Sequence, residues 1–381
     1  MRVVIYTDSV YREVDGVVYG ELAFTLFQIA LASKMTRVTL VGRLDPGPGV
    51  ARYPLPSGVG FVGVPHYPSL TRPIAALSSL PRAVRSFWRA LDTADCAWLF
   101  GPYAHAMLFA LIARLRRRKV VLGVRQDFPS YVRRRRPTLR WMHWTADAFE
   151  LAWRGLARRF PVVVVGPELL ARYRGAPRAL AIAVSLITDE DIAAGEHAPT
   201  RSYDGELELL SVGRLDEEKN PLLLADVLAR LRRRNRSWRM IVCGDGPLQP
   251  ALADRLAALG LAGSAELRGH VSLHDGLMAL YRTTHVLLHV SWTEGFPQVL
   301  TEAFASGIPV VATAVGGVPA AVGEAALLVP PGDADAAADA VTRVASDAVL
   351  RRRLVRAGFE HARRHTLERE IERVAEFIRH S

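Results

Sequence analysis

The sequence predicts an α/β protein of two doubly wound domains, and three observations support that fold class. Short apolar runs typical of buried strands alternate with helical patterns along the chain, which indicates parallel sheets with crossover helices. A length of 381 residues exceeds what one ordinary core accommodates and fits two domains of similar size. Hydrophobic residues make up 50% of the chain, so both domains have enough apolar surface to bury.

The strand-like runs form two sets separated by a polar segment. Those of the first half are residues 3–7, 37–41, 61–64, 97–100, 120–124 and 162–165. Those of the second half are residues 207–212, 240–243, 266–268, 286–290, 310–313 and 326–329. Residues 185–204 turn polar and acidic, and we place the joint there. We predict a first domain over residues 1–190, a second over 203–365, and a C-terminal helix over 366–381 that is a candidate to pack on the first domain.

Charge is distributed unevenly between the two halves. Residues 1–200 hold 27 Lys and Arg against 15 Asp and Glu, a net charge of +12, while residues 201–381 hold 22 against 23, a net charge of −1. The basic surface is therefore expected in the first half. Only three of the 49 cations are lysines (Lys34, Lys119 and Lys219), so a lysine in a predicted ligand loop stands out.

The two cysteines and the N-terminus predict an ordinary cytoplasmic protein. Cys96 and Cys243 lie in apolar strand-like runs without metal-ligand spacing, so we interpret both as core residues. Met1 and Arg2 lead directly into the first strand-like run, with no signal peptide. The chain has no uncharged apolar run of about eighteen residues or more that would predict a membrane-spanning helix.

Two carboxylates bracket a Gly-Phe-Pro turn after the apolar run 285–290. Glu294 is expected on the loop that follows this strand, and Glu302 on the helix that begins near Pro297. Both could meet one ligand at the carboxyl end of a parallel sheet, where the first amides of a helix also favour an anion. The alternative is that one acid favours the helix start and the other is solvated.

A second loop carries cations. Gly213 and Arg214 end a predicted strand and Lys219 follows shortly before a helix, so the two cations could clamp a diphosphate. The alternative is that Arg214 pairs with Glu217 or Glu218 and that Lys219 is solvated. Next along the chain, the turn containing Gly244 and Gly246 follows another strand, and its glycines would let the backbone approach a ligand closely.

In this order, these features resemble the retaining glycosyltransferases of family 4, which have the GT-B fold of two Rossmann-like domains facing across a cleft, with a C-terminal helix crossing back to the first domain. The resemblance covers essentially the whole second domain. Its motifs are Gly213 and Arg214 with Lys219, Gly244 to Pro247, Gly269 to Val271, Glu294 to Ala303, Gly307 to Ala312, Gly316 to Pro319 and Leu327 to Gly332.

The resemblance implies a role for each matching residue. Arg214 and Lys219 would hold the nucleotide diphosphate, Glu294 would contact the donor sugar, and Glu302 the ribose. The main chain of the turn Gly295, Phe296 and Pro297 would face the donor. The remaining donor-binding positions are Gly213, Gly244 and Gly246, with His270 and Val271 bordering the base.

The first domain resembles the family less. Gly16 matches the glycine turn that approaches the donor phosphates, but Asp15 stands where the first of two glycines is usual. Many members carry a histidine after the strand corresponding to residues 120–124, and here Arg125 or Gln126 takes that place. On the acceptor side we also name Asp127, as a hydrogen-bond partner, and His105, for which the alternative is a structural role.

The implied reaction is the transfer of a sugar from a UDP- or GDP-linked donor to a hydroxyl of a saccharide or lipid-linked acceptor, with retention at the anomeric carbon. No cofactor or metal is expected, because cations stabilise the leaving diphosphate; Asp333 and Asp335 belong to the start of a late helix instead. Another GT-B enzyme, such as an epimerase or phosphorylase, and a non-catalytic sugar-nucleotide-binding protein stay open. A dinucleotide oxidoreductase is disfavoured because the Gly-x-Gly-x-x-Gly motif is absent.

The segment 133–160 interleaves arginines with aromatic residues. Trp141, Trp144 and Ala148 would share one helix face, which Ala152 extends. Arginines beside tryptophans suit an anionic membrane surface, which would make the protein peripheral on the inner face of the cell membrane and favour a role in cell-envelope polysaccharide or glycolipid synthesis. The alternative is an amphipathic core helix with a solvated basic end. We expect no nucleic acid partner, since no recognition motif accompanies the basic segment.

Overall fold

A computed structural model describes residues 1–49, 51–68, 73–135, 138–198, 201–234, 237–295 and 297–381. The chain divides into two compact units, one formed by residues 1–184 with 369–381 and the other by residues 185–368. Each unit has its own sheet and its own hydrophobic core.

The first unit is a mainly parallel sheet flanked by helices. Its elements are β1 (Arg2–Val14), β2 (Val17–Gly20), α1 (Phe24–Ala30), β3 (Arg37–Leu44), β4 (Tyr53–Pro54), β5 (Val59–Pro65), α2 (Pro73–Ala90), β6 (Cys96–Gly101), α3 (Ala104–Leu115), β7 (Lys119–Val124), α4 (Phe128–Arg135), α5 (Arg140–Ala157), β8 (Val162–Val165), α6 (Pro167–Leu170) and β9 (Ala179–Ile182). Strands β5, β3, β1, β6, β7, β8 and β9 pair in parallel in that order. This is the doubly wound order, extended by one strand.

The first strand is longer than predicted. Residues 3–7 begin β1, but the strand continues to Val14 and pairs antiparallel with β2, which in turn pairs with β4. Asp15 and Gly16 both have positive φ angles, 50° and 75°, as a two-residue hairpin turn requires. The segment expected to be a ligand loop is therefore the tip of a hairpin.

The second unit has a six-stranded parallel sheet. Its elements are α7 (Asp189–Glu196), β10 (Leu207–Val212), α8 (Leu222–Arg234), β11 (Trp238–Cys243), α9 (Gln249–Ala258), β12 (Ala265–Gly269), α10 (Met278–Thr283), β13 (Val286–His289), α11 (Gln298–Ala305), β14 (Val310–Thr313), α12 (Val318–Val322), β15 (Ala326–Val329), α13 (Ala334–Ser346) and α14 (Ala348–Arg364). The strand order is β12, β11, β10, β13, β14, β15. The order reverses between β10 and β13, which makes that gap the topological switch point.

Both faces of this sheet are covered, as a parallel sheet requires. On one face, Leu209 and Leu288 pack with α8 and α13 around Leu228 and Val341. On the other face, Leu210, Leu287 and Val310 pack with α10 and α11. The predicted α/β fold class is thus confirmed, and Cys96 and Cys243 lie in the cores as expected.

The C-terminal helix α15 (Leu367–Arg379) packs on the first unit. Ile371, Val374 and Ile378 are buried. Arg373 donates a hydrogen bond of 2.7 Å to the carbonyl of Ala181 in β9, and Glu372 pairs with Lys34 at 2.7 Å. These contacts tie the end of the chain to the domain in which it begins.

Candidate functional site

The candidate site lies at the carboxyl ends of β10 and β13. Leu209 pairs with Val286 and Leu210 with Leu287, so the loops that leave these strands emerge side by side at the switch point. The loop after β10 carries Arg214 and Lys219, and the loop after β13 carries Glu294.

Lys219 and Glu294 form an ion pair across this gap. The same carboxylate oxygen, Oε1, also accepts a hydrogen bond of 2.7 Å from the Ser291 hydroxyl and lies 2.8 Å from Nε2 of His289. The Glu294 side chain is 8% exposed and that of Lys219 is 22% exposed. The alternative in which Lys219 is solvated is therefore wrong.

His289 and Ser291 are site residues that sequence reasoning missed. His289 is the last residue of β13, and its Nε2 also lies 3.1 Å from the Ser291 hydroxyl. Because a carboxylate only accepts hydrogen bonds, the proton of this imidazole belongs on Nε2. The available signal was a pair of polar residues at the end of an apolar strand, the position where ligand-binding groups collect in open α/β sheets.

The two predicted carboxylates have opposite electrostatic environments. Burial alone would raise the pKa of Glu294, but the hydrogen bond from His289 and the charge of Lys219 outweigh it and lower the pKa to about 2. Glu302 is buried in α11 and accepts a hydrogen bond of 2.9 Å from the Tyr281 hydroxyl. Burial raises its pKa to about 7. Glu294 is thus a fixed negative charge, whereas Glu302 changes its protonation state near neutral pH.

Arg214 is the exposed cation of the pair. Its guanidinium lies 2.5 Å from Asp216 and 3.3 Å from Glu218, and the side chain is 57% exposed. The pairing with Glu218 was one of the alternatives from the sequence, and Asp216 takes the place expected for Glu217. Exposed pairs of this kind contribute at most about 1 kcal/mol, so an anionic ligand can compete for this guanidinium.

The glycine turn after β11 packs against the cation loop. A Cβ added at Gly244 would lie 1.8 Å from the carbonyl oxygen of Gly213, and one at Gly246 would lie 2.3 Å from that of Leu215. The amide of Leu215 donates a hydrogen bond of 2.9 Å to the carbonyl of Asp245. The structure thus explains these glycines by the close approach of two loops, which fixes the backbone that carries Arg214, and their approach to a ligand stays a prediction.

A further glycine braces the Glu294 loop. Gly316, after β14, has a φ of 51°, and a Cβ there would lie 2.0 Å from the carbonyl oxygen of Glu294. The amide of Gly317 donates a hydrogen bond of 3.2 Å to the same oxygen. Three loops at the carboxyl edge therefore hold the site.

The remaining donor-side residues lie around these loops. Pro297 precedes the first turn of α11 in an extended conformation (φ −75°, ψ 114°), so the helix begins one residue later than expected. His270 is exposed, and its amide donates a hydrogen bond of 3.1 Å to Asp245. Val271 is half-buried and Gly295 is exposed. Phe296 lies outside the described residues.

His105 does not suit the acceptor role proposed for it. It is 1% exposed, stacks on Tyr67 with ring centroids 5.3 Å apart, and its Nε2 lies 3.0 Å from the Ser79 hydroxyl. Burial lowers the pKa of its imidazole to about 4. His105 is a neutral core residue of the first unit.

The segment after β7 is more exposed. Arg125 places its guanidinium 4.3 Å from the ring centroid of Phe24, and Gln126 is half-buried. Asp127 accepts hydrogen bonds of 2.5 Å from Ser130 and 2.6 Å from Arg172. Its carboxylate is thus held at the start of α4, which reduces its capacity to receive a ligand hydroxyl.

A buried polar cluster in the first unit was also missed. Asp8 of β1 lies 3.2 Å from the guanidinium of Arg43 and accepts a hydrogen bond of 2.5 Å from the hydroxyl of Tyr67. Burial raises the pKa of Asp8 even though Arg43 opposes it. Asp8 comes from the middle of β1, Arg43 from the end of β3 and Tyr67 from the segment after β5, so their association depends on strand order rather than on spacing along the chain.

The described residues include no group of three or more His, Cys, Asp or Glu side chains arranged to hold a metal ion. Asp333 caps α13 with a hydrogen bond of 2.9 Å from the amide of Ala336, and Asp335 pairs with Arg230. Both acids therefore belong to a helix start, as the sequence indicates. Within the described ranges, no helix is long and apolar enough to cross a membrane.

Comparisons with known proteins show which family the second unit resembles. Residues 195–361 match the family described as glycosyl transferases group 1. The chain is 32% identical over 223 residues to D-inositol 3-phosphate glycosyltransferase from Kribbella flavida, covering 51% of this chain and 49% of that protein. It is also 32% identical over 169 residues to glycogen synthase from Mycobacterium tuberculosis, covering 44% and 41%. The chain spans about half the length, or less, of such curated relatives.

Solved structures extend the likeness to the whole fold. Sucrose-phosphate synthase from Thermosynechococcus elongatus superposes with a TM-score of 0.72 at 20% identity, covering 100% of this chain and 98% of that one. The Anabaena HepE protein in complex with UDP also gives a TM-score of 0.72, at 18% identity and full coverage of both chains. The chain therefore has the GT-B fold, and its second unit matches the family model of the glycosyl transferases group 1.

Proposed function

We propose that this protein is a retaining glycosyltransferase of family 4, which moves a sugar from a nucleoside-diphosphate sugar to a hydroxyl of a saccharide or lipid-linked acceptor. The observation that carries the proposal is the contact between Lys219 and Glu294 at the switch point of the second unit. In this proposal Lys219 is the cation for the diphosphate, and Glu294, whose pKa is lowered to about 2, is the carboxylate for sugar hydroxyls.

The donor would bind by exchanging partners within this cluster. Lys219 and Arg214 both lie on the loop after β10. Negative charge develops on the diphosphate as its bond to the sugar breaks, and the two cations would stabilise that charge. In Glu294 the bonded oxygen is Oε1, while Oε2 has no hydrogen-bond partner among the described residues. Oε2 is therefore the atom we assign to a hydroxyl of the donor sugar. The two cations make the reaction independent of a metal ion in this proposal.

The comparisons favour a nucleotide-sugar donor. The two curated relatives named above are a glycosyltransferase and a glycogen synthase, and the HepE protein was crystallised with UDP and with UDP-glucose. We therefore expect a UDP-linked donor ahead of a GDP-linked one. The cell-envelope role and the cytoplasmic location belong to the same proposal.

A thermal-shift panel tests donor binding. UDP, GDP, ADP and their sugars are added to the whole protein, and the correct base should raise the melting temperature because a ligand that binds only the folded state stabilises it. Acceptor-dependent release of the nucleoside diphosphate, unaffected by a chelator, then separates transfer from epimerisation. Binding without release on a panel of acceptors would favour a non-catalytic sugar-nucleotide-binding protein, and no shift with any nucleotide would rule out the proposed donor site.

We also propose that α5 docks on an anionic membrane. Trp141, Trp144 and Leu151 are 46%, 74% and 70% exposed, whereas Trp153 on the other side of the helix is fully buried. The tryptophan face predicted from the sequence is thus exposed, while the opposite face of the helix packs in the core through Trp153 and Ala157, as in the core-helix alternative. Arg140 and Arg154 are exposed on the same helix, while Arg136 and the side chains of Arg134 and Arg135 lie outside the described residues. Apolar residues flanked by arginines match an interfacial helix.

Vesicle sedimentation tests this docking. The double variant Trp141→Ser/Trp144→Ser should lose most of its binding to phosphatidylglycerol vesicles, since two large apolar side chains no longer enter the interface. The matched control is Trp88→Ser, which removes a 40% exposed tryptophan from α2. Binding of the natural protein should fall as salt rises. Equal losses in both variants, or no binding at low salt, would reject the proposal.

A further inference from the structure

A cavity of about 580 Å³ lies in the second unit, away from the candidate donor site. Its wall includes Tyr203, which precedes β10, and Gly307 and Pro309, which precede β14. In a parallel sheet these positions mark the amino ends of the strands, whereas Lys219 and Glu294 lie at the carboxyl ends. The volume is within the range of small-molecule sites.

The charged groups of this cavity are mostly arginines. They are Arg201, Arg351, Arg352, Arg356 and Arg363, with Glu196 as the one carboxylate. Five positive charges and one negative charge leave a net charge of +4 around the cavity. The net charge of residues 201–381 is only −1, so this cluster of positive charge is not evident from the composition.

Two of these arginines are held by neutral groups. Arg201 donates hydrogen bonds of 2.8 Å to the carbonyls of Gly307 and Tyr281. Arg351 donates one of 3.0 Å to the carbonyl of Val344 and lies 3.8 Å from the ring centroid of Tyr203. These contacts fix the guanidinium groups without neutralising them, so their positive potential extends into the cavity.

Two more arginines are free to bind. Arg352 and Arg356 are exposed and have no hydrogen-bond or ion-pair partner among the described residues. They are four residues apart on α14, where like charges are neighbours and repel each other. The fifth arginine, Arg363, forms an ion pair with Glu196, so this carboxylate does not neutralise Arg352 or Arg356. An anion between Arg352 and Arg356 would relieve the repulsion and gain charge-assisted hydrogen bonds.

We propose that this cavity binds a phosphate-bearing anion of about the size of a sugar phosphate. The guanidinium groups of Arg352 and Arg356 bind the phosphate, while Tyr203 and Phe359 offer an apolar wall to the rest of the ligand. The proposal does not depend on the transferase activity, because the cavity shares no residue with the donor site. The phosphate can come from a free metabolite or from a phospholipid headgroup, and the two sources are separated by experiment.

Isothermal titration with inorganic pyrophosphate and with a hexose phosphate tests the site. The titrations use the full chain carrying Lys219→Ala, which removes a cation proposed to bind phosphate at the donor site. Arg352→Glu/Arg356→Glu should weaken binding by about tenfold or more, the effect of losing charge-assisted hydrogen bonds. The matched control is Arg353→Glu/Arg364→Glu, which makes the same charge change at exposed positions of α14 that do not line the cavity.

The results of these titrations either support or overturn the proposed phosphate site. A loss confined to the Arg352 and Arg356 variant supports the site, and equal losses in both variants show that only net charge matters and overturn it. Arg356→Gln alone, which avoids charge reversal, should weaken binding in the same direction if the double variant does not fold. Vesicles containing phosphatidic acid distinguish a headgroup from a soluble phosphate. Absence of binding to pyrophosphate, hexose phosphate and vesicles by the parent protein would also overturn the proposal.

Discussion

Replacing Lys219 with alanine is expected to lower the rate of sugar transfer about 100-fold or more, the usual cost of losing one preorganised charge contact in an active site. The ammonium group of Lys219 lies against Glu294, and the Lys219 side chain is 22% exposed. Because charge on the diphosphate grows as the sugar departs, the loss should appear mainly in kcat. Steady-state kinetics with the donor identified by thermal shift provide the measurement.

The control is another lysine in an ion pair. Lys34 pairs with Glu372 at 2.7 Å on the exposed surface of the first unit. Lys34→Ala should leave turnover unchanged and cost at most about 1 kcal/mol of stability, as exposed pairs do. Lys219→Arg should restore part of the activity, since the charge is kept but its geometry is not. Normal turnover in Lys219→Ala would remove Lys219 from the donor site.

The parts of the site that the sequence predicts are those set by strand order. Arg214, Lys219 and Glu294 follow apolar runs, and the carboxyl ends of parallel strands share one edge, so the contact between the two loops follows from the fold class. The strands β8, β10, β14 and β15 have the predicted bounds because a strand buried on both faces is a continuous apolar run.

The missed parts depend on side-chain placement in three dimensions. His289 was hidden inside an apolar run, and its bond to Glu294 depends on how the next loop folds back. The hairpin at Asp15 and Gly16 depends on the pairing of Val14 with Val17, which the sequence did not predict, and the contact of Gly16 with the donor phosphates stays a prediction. For His105 the structure agrees with the structural alternative, and its burial depends on Tyr67 and Ser79, which come from distant segments.

Replacing the buried Glu302 with glutamine should stabilise the second unit at pH 8 by about 3 kcal/mol, because the acid then no longer has to ionise. Glutamine is nearly isosteric, and its amide oxygen can still accept the hydrogen bond from Tyr281. Hydrogen exchange of the β13 and β14 amides measures the stability of this unit separately from the first.

The stability of the second unit should fall as the pH rises, because the pKa of Glu302 is raised in the folded protein. Glu302 has a pKa of about 7 in the folded protein, against a model-peptide value of 4.5. Below the unfolded pKa the group is protonated in both states and costs nothing. As the pH rises from about 4.5 through about 7, the unfolded chain ionises first, and the stability contributed by the buried neutral form is lost. The natural protein should therefore lose protection in β13 and β14 over this range, and Glu302→Gln should lose less.

Measuring nucleotide affinity as well as stability distinguishes a ligand-binding role of Glu302 from a purely structural one. If Glu302 binds the ribose, Glu302→Gln should bind the nucleoside diphosphate more weakly while it unfolds less readily, and a purely structural residue would change stability alone. Glu324→Gln is the matched control, because Glu324 is an exposed acid of the same unit. Identical pH profiles for the natural protein and Glu302→Gln would show that Glu302 ionises normally. A gain in stability joined to a loss of affinity would instead mean that the protein retains a buried acid because the ligand needs it.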